Sequence, residues 1–344
     1  MSERILVTGH LGYIGTVLVP MLLEAGYDVH GLDSDLFADC TFGEGIVEIP
    51  GTQKDIRDVV RADVEGFDAV IHLAGLSNDP LGNFNPELTY AINHAASVRL
   101  AELCKQAGVP RYVFSSSCST YGAGGDDWLT EESEFHPVTP YGESKVFVER
   151  DVAKLADDAF CPVFLRNATV FGYSPRLRFD LVVNNLVAWA FCTGKIHLKS
   201  DGGSWRPLVH VADVSQAFLA AIKAPREAVF NDAFNIGSTQ ENYQIREVAK
   251  IVGEVVPESV VEFAPGASPD KRNYKTNCDK AARVLEHFTP SWTVRQGAEQ
   301  LYEAYKRHGV ELEEFEGERY QRLAHLKHLI GQGRIGDDLR RVDA

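Results

Sequence analysis

Short apolar runs alternate with helix-like stretches through the first 170 residues. The runs are nearly continuous in apolar character and rich in Val and Ile, as strands buried on both faces of a parallel sheet are. We predict strands at Ile5–Thr8, Asp28–Leu32, Ile46–Ile49, Ala69–Leu73, Tyr112–Ser115 and Val163–Leu165. We predict helices at Ile14–Ala25, Pro86–Ala107 and Tyr141–Leu155. This strand–helix–strand repetition predicts an α/β fold with a doubly wound parallel sheet.

The pattern loosens after about residue 172. Helical segments are predicted at Leu181–Thr193, Ala212–Lys223, Ile245–Val255 and Val294–Arg307, separated by short strands and by loops rich in glycine and proline. We therefore expect a first domain over residues 1–172 and a smaller mixed lobe over 173–310, from which one strand or helix is free to return to the first domain. A charged, helical tail is expected over 311–344.

Composition and charge exclude several classes of protein. The chain has 344 residues, is 44% hydrophobic and carries a net charge of −15. This balance argues against a nucleic-acid or anionic-membrane partner. Six cysteines are scattered singly, without a CxxC pair, which favours reduced thiols over a disulfide framework and predicts no metal site. The N-terminal residues lack a basic-then-apolar signal and no run of 18 apolar residues occurs, so we expect a cytoplasmic protein.

A glycine-rich motif follows the first predicted strand and opens a helix. It is Gly9-His10-Leu11-Gly12-Tyr13-Ile14-Gly15. The first glycine permits a tight turn, the second lets the backbone approach a pyrophosphate, and the third lets the helix pack on the strand. Asp33 ends the second strand, where a carboxylate accepts hydrogen bonds from ribose hydroxyls and repels a 2′-phosphate. The motif therefore predicts a dinucleotide site that favours NAD over NADP.

A tyrosine and a lysine lie one helical turn apart in Tyr141-Gly142-Glu143-Ser144-Lys145. The lysine ammonium and a nicotinamide cation both favour the phenolate, so that Tyr141 can take a proton from an alcohol while hydride leaves the same carbon. Ser117 lies in a serine-rich stretch at the carboxyl end of the fifth strand, where ligands of open α/β sheets bind. Its hydroxyl is placed to bridge a substrate hydroxyl and Tyr141.

Together these motifs resemble the extended short-chain dehydrogenase/reductase superfamily, in its NAD-dependent nucleotide-sugar epimerase/dehydratase branch. The resemblance covers about residues 4–308 and implies a Rossmann-type domain. It is supported by Asp55-Ile56-Arg57, by His72-Leu73-Ala74-Gly75 and by Arg206 before Pro207-Leu208-Val209-His210-Val211-Ala212-Asp213. The order and spacing of these segments match those of that branch.

The resemblance implies a set of site residues. The implied catalytic residues are Tyr141, Lys145, Ser117 and, as a candidate, Cys118. The implied cofactor-binding residues are Gly9, Gly12, Tyr13, Ile14, Gly15, Asp33, Asp55, Ile56, Leu73, Ala74, Gly75, Asn93, Ser115, Tyr141 and Lys145. The implied substrate-binding residues are Ser77, Asn78, Ser117, Thr169, Arg176, Asn185, Leu186, Arg206 and Arg272. Of these, Arg206 and Arg272 are expected to grip the substrate diphosphate through paired hydrogen bonds.

The chain departs from the branch immediately after Ser117. Dehydratases of the branch carry adjacent Asp and Glu there, whereas this chain has Cys118 and Ser119. A serine is no base, which weakens the 4,6-dehydratase interpretation. Cys118 has two interpretations: an acid or base tuned by its surroundings, or a small side chain that fills space beneath the cofactor.

We therefore predict an NAD-dependent nucleotide-sugar 4-epimerase, an isomerase of carbohydrate metabolism that works through a transient 4-keto sugar. Two alternatives stay open: an NAD(P)H-dependent reductase of nucleotide-4-keto sugars, and a dehydratase or 3,5-epimerase that uses Cys118. A protein that only senses NAD is a third possibility, although it would not need the Ser117–Tyr141–Lys145 set. The resemblance also implies a homodimer, formed by the helices Pro86–Ala107 and Tyr141–Leu155.

Overall fold

The computed structural model describes residues 2–43, 45–125, 127–268 and 272–342. Within these residues the strands are β1 (Arg4–Thr8), β2 (Asp28–Asp33), β3 (Gly51–Gln53), β4 (Ala69–His72), β5 (Arg111–Ser117), β6 (Trp128–Leu129), β7 (Cys161–Asn167), β8 (Thr169–Phe171), β9 (Lys195–Ser200), β10 (Trp205–His210), β11 (Asp232–Ile236), β12 (Asn242–Gln244), β13 (Val260–Ser268) and β14 (Lys275–Thr276). The α-helices are α1 (Gly15–Glu24), α2 (Asp79–Phe84), α3 (Pro86–Thr89), α4 (Ala96–Ala107), α5 (Pro140–Ala153), α6 (Val182–Thr193), α7 (Val211–Lys223), α8 (Arg226–Val229), α9 (Ile245–Val255), α10 (Asp279–Val284), α11 (Val294–His308), α12 (Leu312–Glu316) and α13 (Arg322–Gly331).

Seven parallel strands form the central sheet, in the order β3-β2-β1-β4-β5-β7-β11. Helices α1 and α7 pack on one face, and α4 and α5 pack on the other. Both faces are therefore covered, which is why the inner strands are almost entirely apolar. The strand order reverses between β1 and β4, and open α/β sheets bind ligands at the carboxyl ends of the strands at such a point. The predicted doubly wound, Rossmann-type sheet is confirmed.

The predicted strand at Ile46–Ile49 is wrong. Those residues are irregular, and the edge strand is β3, which pairs with β2 from Gly31↔Gly51 to Asp33↔Gln53. All three residues of β3 are exposed, so no hydrophobic pattern marks this strand. The apolar residues before it mark an irregular stretch of chain instead.

The predicted helix Pro86–Ala107 is present but not uniform. It consists of α3, a π-helical segment at Tyr90–Ala95 and α4. π-Helical segments are rare inside helices and occur mostly at functional sites. Asn93 lies in this segment, and its amide group bonds to the loop that follows β4.

The smaller lobe is built from three short sheets and the helices α6, α9 and α11. The sheets are β12-β10-β8, β13-β9 and β14-β6. Strand β11 and helix α7, which follow residue 172, pack with the central sheet rather than with this lobe. The lobe has a separate hydrophobic core that includes Phe171, Phe179 and Tyr305.

The C-terminal tail is only partly helical. Helices α12 and α13 are followed by an irregular stretch in which Ile335 and Arg341 form a single antiparallel bridge. Apolar residues of this tail pack into the same core layer as α4 and α5, among them Leu326 and Leu339. His325, which the charged sequence pattern would place on the surface, is only 3% exposed. Among the described residues, no helix is long and apolar enough to span a membrane.

Candidate active site

A cleft of about 1090 Å³ lies at the carboxyl ends of the sheet strands and extends into the smaller lobe. Most of the predicted site residues line it. On the cofactor side these are Gly9, Gly12, Tyr13, Ile14, Gly15, Asp33, Asp55, Ile56, Leu73, Ala74, Gly75, Ser115, Tyr141 and Lys145. On the substrate side they are Ser77, Asn78, Ser117, Thr169, Asn185, Leu186, Arg206 and Arg272. Cys118, Asn93 and Arg176 do not reach the cleft.

The glycine loop at the floor of the cleft has no room for side chains. Gly9 adopts a left-handed φ of +76°, and a Cβ added there would lie 2.7 Å from the backbone nitrogen of Ala74. A Cβ added at Gly15 would lie 2.5 Å from the carbonyl oxygens of both Gly9 and His10. Helix α1 therefore begins directly beneath the loop, with its free amide groups facing the cleft.

Asp33 ends β2 beside this loop. Its carboxylate accepts hydrogen bonds from the backbone amides of Leu11 (3.0 Å) and Asp35 (2.8 Å). A carboxylate has lone pairs for about four hydrogen bonds, so acceptor capacity remains for ribose hydroxyls. The contact with Leu11 also fixes the position of the carboxylate relative to the glycine loop.

Asn93 has a structural role, which corrects its prediction as a cofactor-binding residue. Its Oδ1 accepts from the backbone amide of Leu76 (2.7 Å), and its Nδ2 donates to the carbonyl oxygen of the same residue (2.9 Å). Both polar atoms of a side chain that is 1% exposed are thus occupied. Asn93 positions the loop at Gly75 and Leu76 from behind.

Tyr141 and Lys145 lie in the first turns of α5, whose N-terminus is capped by the Thr139 hydroxyl. The Lys145 ammonium donates to the carbonyl oxygen of Ser115 (2.7 Å) and lies 5.7 Å from the centre of the Tyr141 ring. Burial lowers the pKa of Lys145 to about 8, against the opposing charge of Glu149. Burial raises the pKa of Tyr141 to about 12, against an opposing hydrogen bond with Ser117. This pKa leaves the phenol protonated at neutral pH, and a positive charge brought close to it would favour the ionised form.

Cys118 is buried behind the cleft wall, which corrects its prediction as a catalytic candidate. It is 0% exposed and packs against Tyr121 and Tyr274. Its Sγ donates to the carbonyl oxygen of Arg166 (3.1 Å), and burial raises the pKa of the thiol well above its usual range. The side chain fills space between these residues and is not among those that line the cleft.

A group of polar side chains joins the two lobes at the substrate end. The Arg178 guanidinium donates to both carboxylate oxygens of Asp180 (2.9 and 3.0 Å) and to Ser77 Oγ (3.0 Å). Asn78 Nδ2 donates to the same Asp180 carboxylate (2.5 Å). Ser77 and Asn78 are thus held by residues about 100 positions later in the chain.

Two arginines of the smaller lobe face the cleft near Tyr274. Arg206 donates to the carbonyl oxygens of Trp205 (2.7 Å) and Arg272. The Arg272 side chain in turn donates to Asp79 (2.5 Å), which lies in α2 on the opposite wall. This ion pair bridges the mouth of the cleft.

Arg176 lies on the cofactor side, which corrects its prediction as a substrate-binding residue. Its guanidinium donates to the carbonyl oxygen of Phe37 and to Asp35 (3.4 Å), and the residue is 3% exposed. Arg176 therefore supports the chain after β2, whereas Arg178, two residues later, bonds to Ser77 at the substrate end.

Comparison with known proteins identifies the family. The NAD dependent epimerase/dehydratase family matches residues 5–237, which is more than half of the chain. The chain belongs to this family. It is 28% identical to a UDP-glucose 4-epimerase of Bacillus subtilis over 327 residues (86% of this chain and 94% of that protein). It is 30% identical to a UDP-glucose 4-epimerase of Bos taurus over 310 residues (77% and 87%). The solved structure of MoeE5 in complex with UDP-glucose and NAD is 26% identical, with a TM-score of 0.76, and covers 89% of this chain and 99% of that one.

Membership of the NAD dependent epimerase/dehydratase family makes NAD the cofactor, and the cleft fits it. The glycine loop leaves a backbone cradle for the diphosphate, and Asp33 stands where the adenosine ribose binds. At the other end, Asn167 Nδ2 donates to Ser115 Oγ (3.0 Å), while Asn167 Oδ1 is buried without a hydrogen-bond partner among the described residues. Such an acceptor suits the carboxamide of a nicotinamide ring. Within the described residues there is no group of three or more His, Cys, Asp or Glu side chains able to hold a metal ion.

Several residues that line the cleft were not predicted from the sequence. They include Asn167, Asp180, Arg322 and Leu339. Asn167 lies two residues after the predicted strand Val163–Leu165. A polar residue at the end of a strand is a signal that could have identified it. Arg322 and Leu339 lie in the tail, outside the family match, and no local motif marks them.

Proposed function

We propose that the chain is an NAD-dependent nucleotide-sugar 4-epimerase. The observation that carries the proposal is that Tyr141, Lys145 and Ser117 line the same cleft as the glycine loop and as Arg206 and Arg272. The oxidation of a nucleotide sugar needs a base that takes the hydroxyl proton, a dinucleotide that accepts the hydride, and groups that bind the substrate diphosphate. The relatives from Bacillus subtilis and Bos taurus, both UDP-glucose 4-epimerases, support the same activity.

The substrate is held in this proposal through its diphosphate. Arg206, Arg272 and Asn185 line the part of the cleft that lies in the smaller lobe. Guanidinium groups bind phosphate oxygens through two parallel hydrogen bonds. Anchoring the diphosphate there leaves the hexose between Ser77 and Tyr141, on the side of the cleft where Ser117 lies. UDP-glucose, the ligand in the MoeE5 complex, is the first substrate to test.

Tyr141 acts as the base in this mechanism. Bound NAD supplies a hydride acceptor for C4 of the sugar and a positively charged ring beside the phenol. With that charge and the Lys145 ammonium close by, the pKa of Tyr141 falls from its raised value, and the phenolate takes the proton of the C4 hydroxyl. Ser117 donates a hydrogen bond to the same oxygen. The 4-keto sugar would then rotate so that the hydride held by the cofactor could return to the opposite face of C4, which would invert that carbon, while Tyr141 returns the proton to the C4 oxygen.

The two rival reactions differ in what they require. A dehydratase or 3,5-epimerase through Cys118 would need the thiol to reach the sugar, and the burial of Cys118 counts against it. A ketoreductase would need a 4-keto substrate and a reduced cofactor that exchanges in every turnover. Turnover without added cofactor separates the reductase from the epimerase, because only the epimerase regenerates its NAD in each cycle.

The test is proton NMR of the purified protein with UDP-, dTDP-, GDP- and CDP-sugars in D₂O, without added cofactor. We expect conversion of one sugar to its C4 epimer with no deuterium incorporated, because the hydride stays within the site. Deuterium at C3 or C5, or loss of water, would contradict the proposal in favour of a dehydratase or 3,5-epimerase. No conversion without added NADH, together with reduction of a 4-keto sugar when NADH is present, would favour the ketoreductase.

We also propose that the protein is a homodimer, paired through α4, α5 and the π-helical segment before α4. Tyr90 and Phe147 are half-buried and stack at 6.1 Å, and Arg150 lies over the Phe147 ring. An aromatic patch of this kind on adjoining helices suits contact with a second copy. Light scattering coupled to size-exclusion chromatography tests it, and a mass of 38.0 kDa would contradict it.

A cytoplasmic location is the last part of the proposal. All six cysteines are free, and Cys192 alone among them is not fully buried. Free thiols suit a reducing compartment. Fractionation of cells that express the protein tests this location, and recovery outside the cytoplasmic fraction would contradict it.

A further inference from the structure

The C-terminal tail packs on one wall of the cofactor site. This wall is the segment after β2, residues 34–42, here called the β2 segment. Tail side chains bond to its backbone: Arg341 Nε donates to Ser34 O (2.9 Å), and Arg319 donates to Asp39 O and Thr41 O (both 2.9 Å). Since Ser34, Leu36 and Phe37 line the cleft next to Asp33, the tail holds the wall against which adenosine would lie.

Arg322, the first residue of α13, is buried in this contact. It is 2% exposed, and its guanidinium lies 4.2 Å from the centre of the Phe37 ring. Its Nη2 donates to the carbonyl oxygen of Arg176 (3.0 Å), while its Nη1 has no hydrogen-bond partner among the described residues. A buried cationic donor without a partner is energetically costly, so a bound anion that accepts from it would be stabilising there.

The charges around Arg322 are unevenly matched. Arg176 pairs with Asp35 (3.4 Å), and Arg178 pairs with Asp180 (2.9 Å). No described carboxylate lies within 4 Å of the Arg322 guanidinium. Burial lowers the pKa of Arg322 to about 10, which still leaves it charged at neutral pH. Arg176, Arg178 and Arg322 together therefore carry one positive charge more than Asp35 and Asp180 neutralise. The net charge of the whole chain is −15.

Arg322 lines the cleft between two parts of the cofactor site. On one side is Phe37 of the β2 segment. On the other is Tyr13 of the glycine loop; burial raises the pKa of its phenol, and the positive charge of Arg322 acts against that rise. The diphosphate of a dinucleotide lies over the glycine loop. The substrate diphosphate has its own arginines, Arg206 and Arg272, in the smaller lobe.

We propose that Arg322, brought to the cleft by the tail, binds the diphosphate of NAD. The inference rests on the NAD cofactor of the proposed function, but not on which sugar is converted. The tail thus acts as a third part of the cofactor site, after the glycine loop and the β2 segment. A guanidinium that gains its missing acceptor only when the dinucleotide is bound favours a cofactor that stays bound between turnovers.

The test compares ligands that have or lack a diphosphate. Protein stripped of nucleotide is titrated calorimetrically with NAD, ADP and adenosine, as wild type and as Arg322→Met, which keeps the length of the side chain. We expect the variant to bind NAD and ADP roughly 10- to 100-fold more weakly, because it lacks a charged hydrogen bond, and to bind adenosine as the wild type does. Arg322→Lys should recover part of the loss.

The matched control is Lys327→Met, which removes one positive charge from the exposed side of the same helix. It should leave all three affinities within about 2-fold, since general electrostatic attraction at the surface is weak. Unchanged NAD affinity in Arg322→Met would overturn the proposal. So would an equal loss for adenosine, because Arg322 would then only shape the wall.

A measurement on the wild-type protein covers the case in which Arg322→Met does not fold. Hydrogen exchange is followed at the start of α13 with saturating ADP and with saturating adenosine. We expect ADP to slow exchange there several-fold more than adenosine does. Equal protection by the two ligands would overturn the proposal. Both experiments use no sugar, so their result is independent of whether the epimerase activity is found.

Discussion

The two ends of the cleft are held together by different kinds of contact. At the cofactor end, polar side chains bond to backbone: Lys145 to Ser115 O, Asp33 to the amide of Leu11, and Asn93 to both backbone atoms of Leu76. At the sugar end, Arg206 also donates to backbone carbonyls, but other contacts join side chains that are far apart in the sequence. Arg272 meets Asp79 across 193 positions, and Asn78 meets Asp180 across 102.

The difference suggests which end is free to vary. A backbone partner is present whatever residue occupies its position, so the cofactor end tolerates substitutions nearby without losing its geometry. A side-chain partner is lost or exchanged by a single substitution, which changes what the sugar end recognises. We therefore expect substitutions at the cofactor end to act on kcat, and those at the sugar end to act on KM.

The largest effect is expected at Tyr141. Tyr141→Phe removes the proton-transferring oxygen without changing the ring, and kcat should fall about 10²- to 10⁴-fold. NAD binding should fall much less than kcat, since the glycine loop and Asp33 are unchanged in this variant. Steady-state kinetics with the substrate found by NMR provide the measurement. Tyr121→Phe is the control, because Tyr121 is buried outside the cleft. It should keep most of its turnover. Turnover that survives in Tyr141→Phe would contradict the mechanism.

Lys145→Met should separate activity from stability. We expect kcat to fall about 10²-fold, because the ammonium that favours the phenolate is gone. In the cofactor-free protein the pKa of Lys145 is lowered from 10.5 to about 8, so burial of the charge costs stability at pH 7. Relief of that cost, partly offset by the unpaired Ser115 carbonyl, should make the variant more stable by about 1 kcal/mol.

The pH dependence gives a second measure of the same effect. Between pH 8 and pH 10.5 the unfolded chain keeps a proton that folded Lys145 has lost. The contribution of Lys145 to wild-type stability therefore rises with pH across this window, and Lys145→Met lacks that rise. Chemical denaturation of both proteins at pH 7 and pH 10 measures it. A stability difference that stays constant with pH would contradict the assignment.

An intermediate effect is expected at the ion pair across the mouth of the cleft. Arg272→Met should raise the KM for the nucleotide sugar about 10-fold and leave kcat within about 3-fold. The reason is that a contact with the diphosphate stabilises the bound substrate and the transition state equally. Asp79→Asn removes the carboxylate that pairs with Arg272 and should lower KM or leave it unchanged. A large fall in kcat in either variant would show that the two ends of the cleft are not separate in function.

The smallest effect on activity is expected at Cys118. Cys118→Ala should leave kcat and KM within about 2-fold, because the sulfur faces the Arg166 carbonyl and not the cleft. It should lower the free energy of unfolding by about 1–2 kcal/mol through the cavity it leaves. Kinetics and denaturation of the same preparation give both numbers. A loss of turnover with unchanged stability would instead support acid–base work by the thiol.

The cofactor end could be predicted from the sequence because its signals are local. Gly9 and Gly15 lie within one turn, Asp33 ends a strand, and Tyr141 and Lys145 are four residues apart on one helix. Each position follows from the strand or helix that carries it. Every cofactor-binding residue that the family resemblance implied lines the cleft except Asn93, which lies directly behind the wall.

The sugar end and the tail could be predicted less well, for a physical reason. Arg176 and Arg178 are two positions apart, yet one supports the β2 segment and the other bonds to Ser77 and Asp180. Which arginine faces the sugar depends on partners more than 100 residues away. The strand predicted at Ile46–Ile49 was wrong because its apolar residues lie in an irregular stretch. The true edge strand, β3, is exposed and has no hydrophobic pattern to detect.

The bonds between the tail and the β2 segment also set the order of events during synthesis. Ser34 and Arg341 are 307 positions apart, so this wall cannot be complete until nearly the whole described chain has left the ribosome. The central sheet, whose strands end at Ile236, has its residues available much earlier. During that interval Arg322 is not yet available to pack on the Phe37 ring. Contacts between residues this distant in sequence also form slowly. A nascent chain therefore has its glycine loop before it has a pocket able to retain the cofactor, and capture of NAD becomes one of the last steps of its maturation.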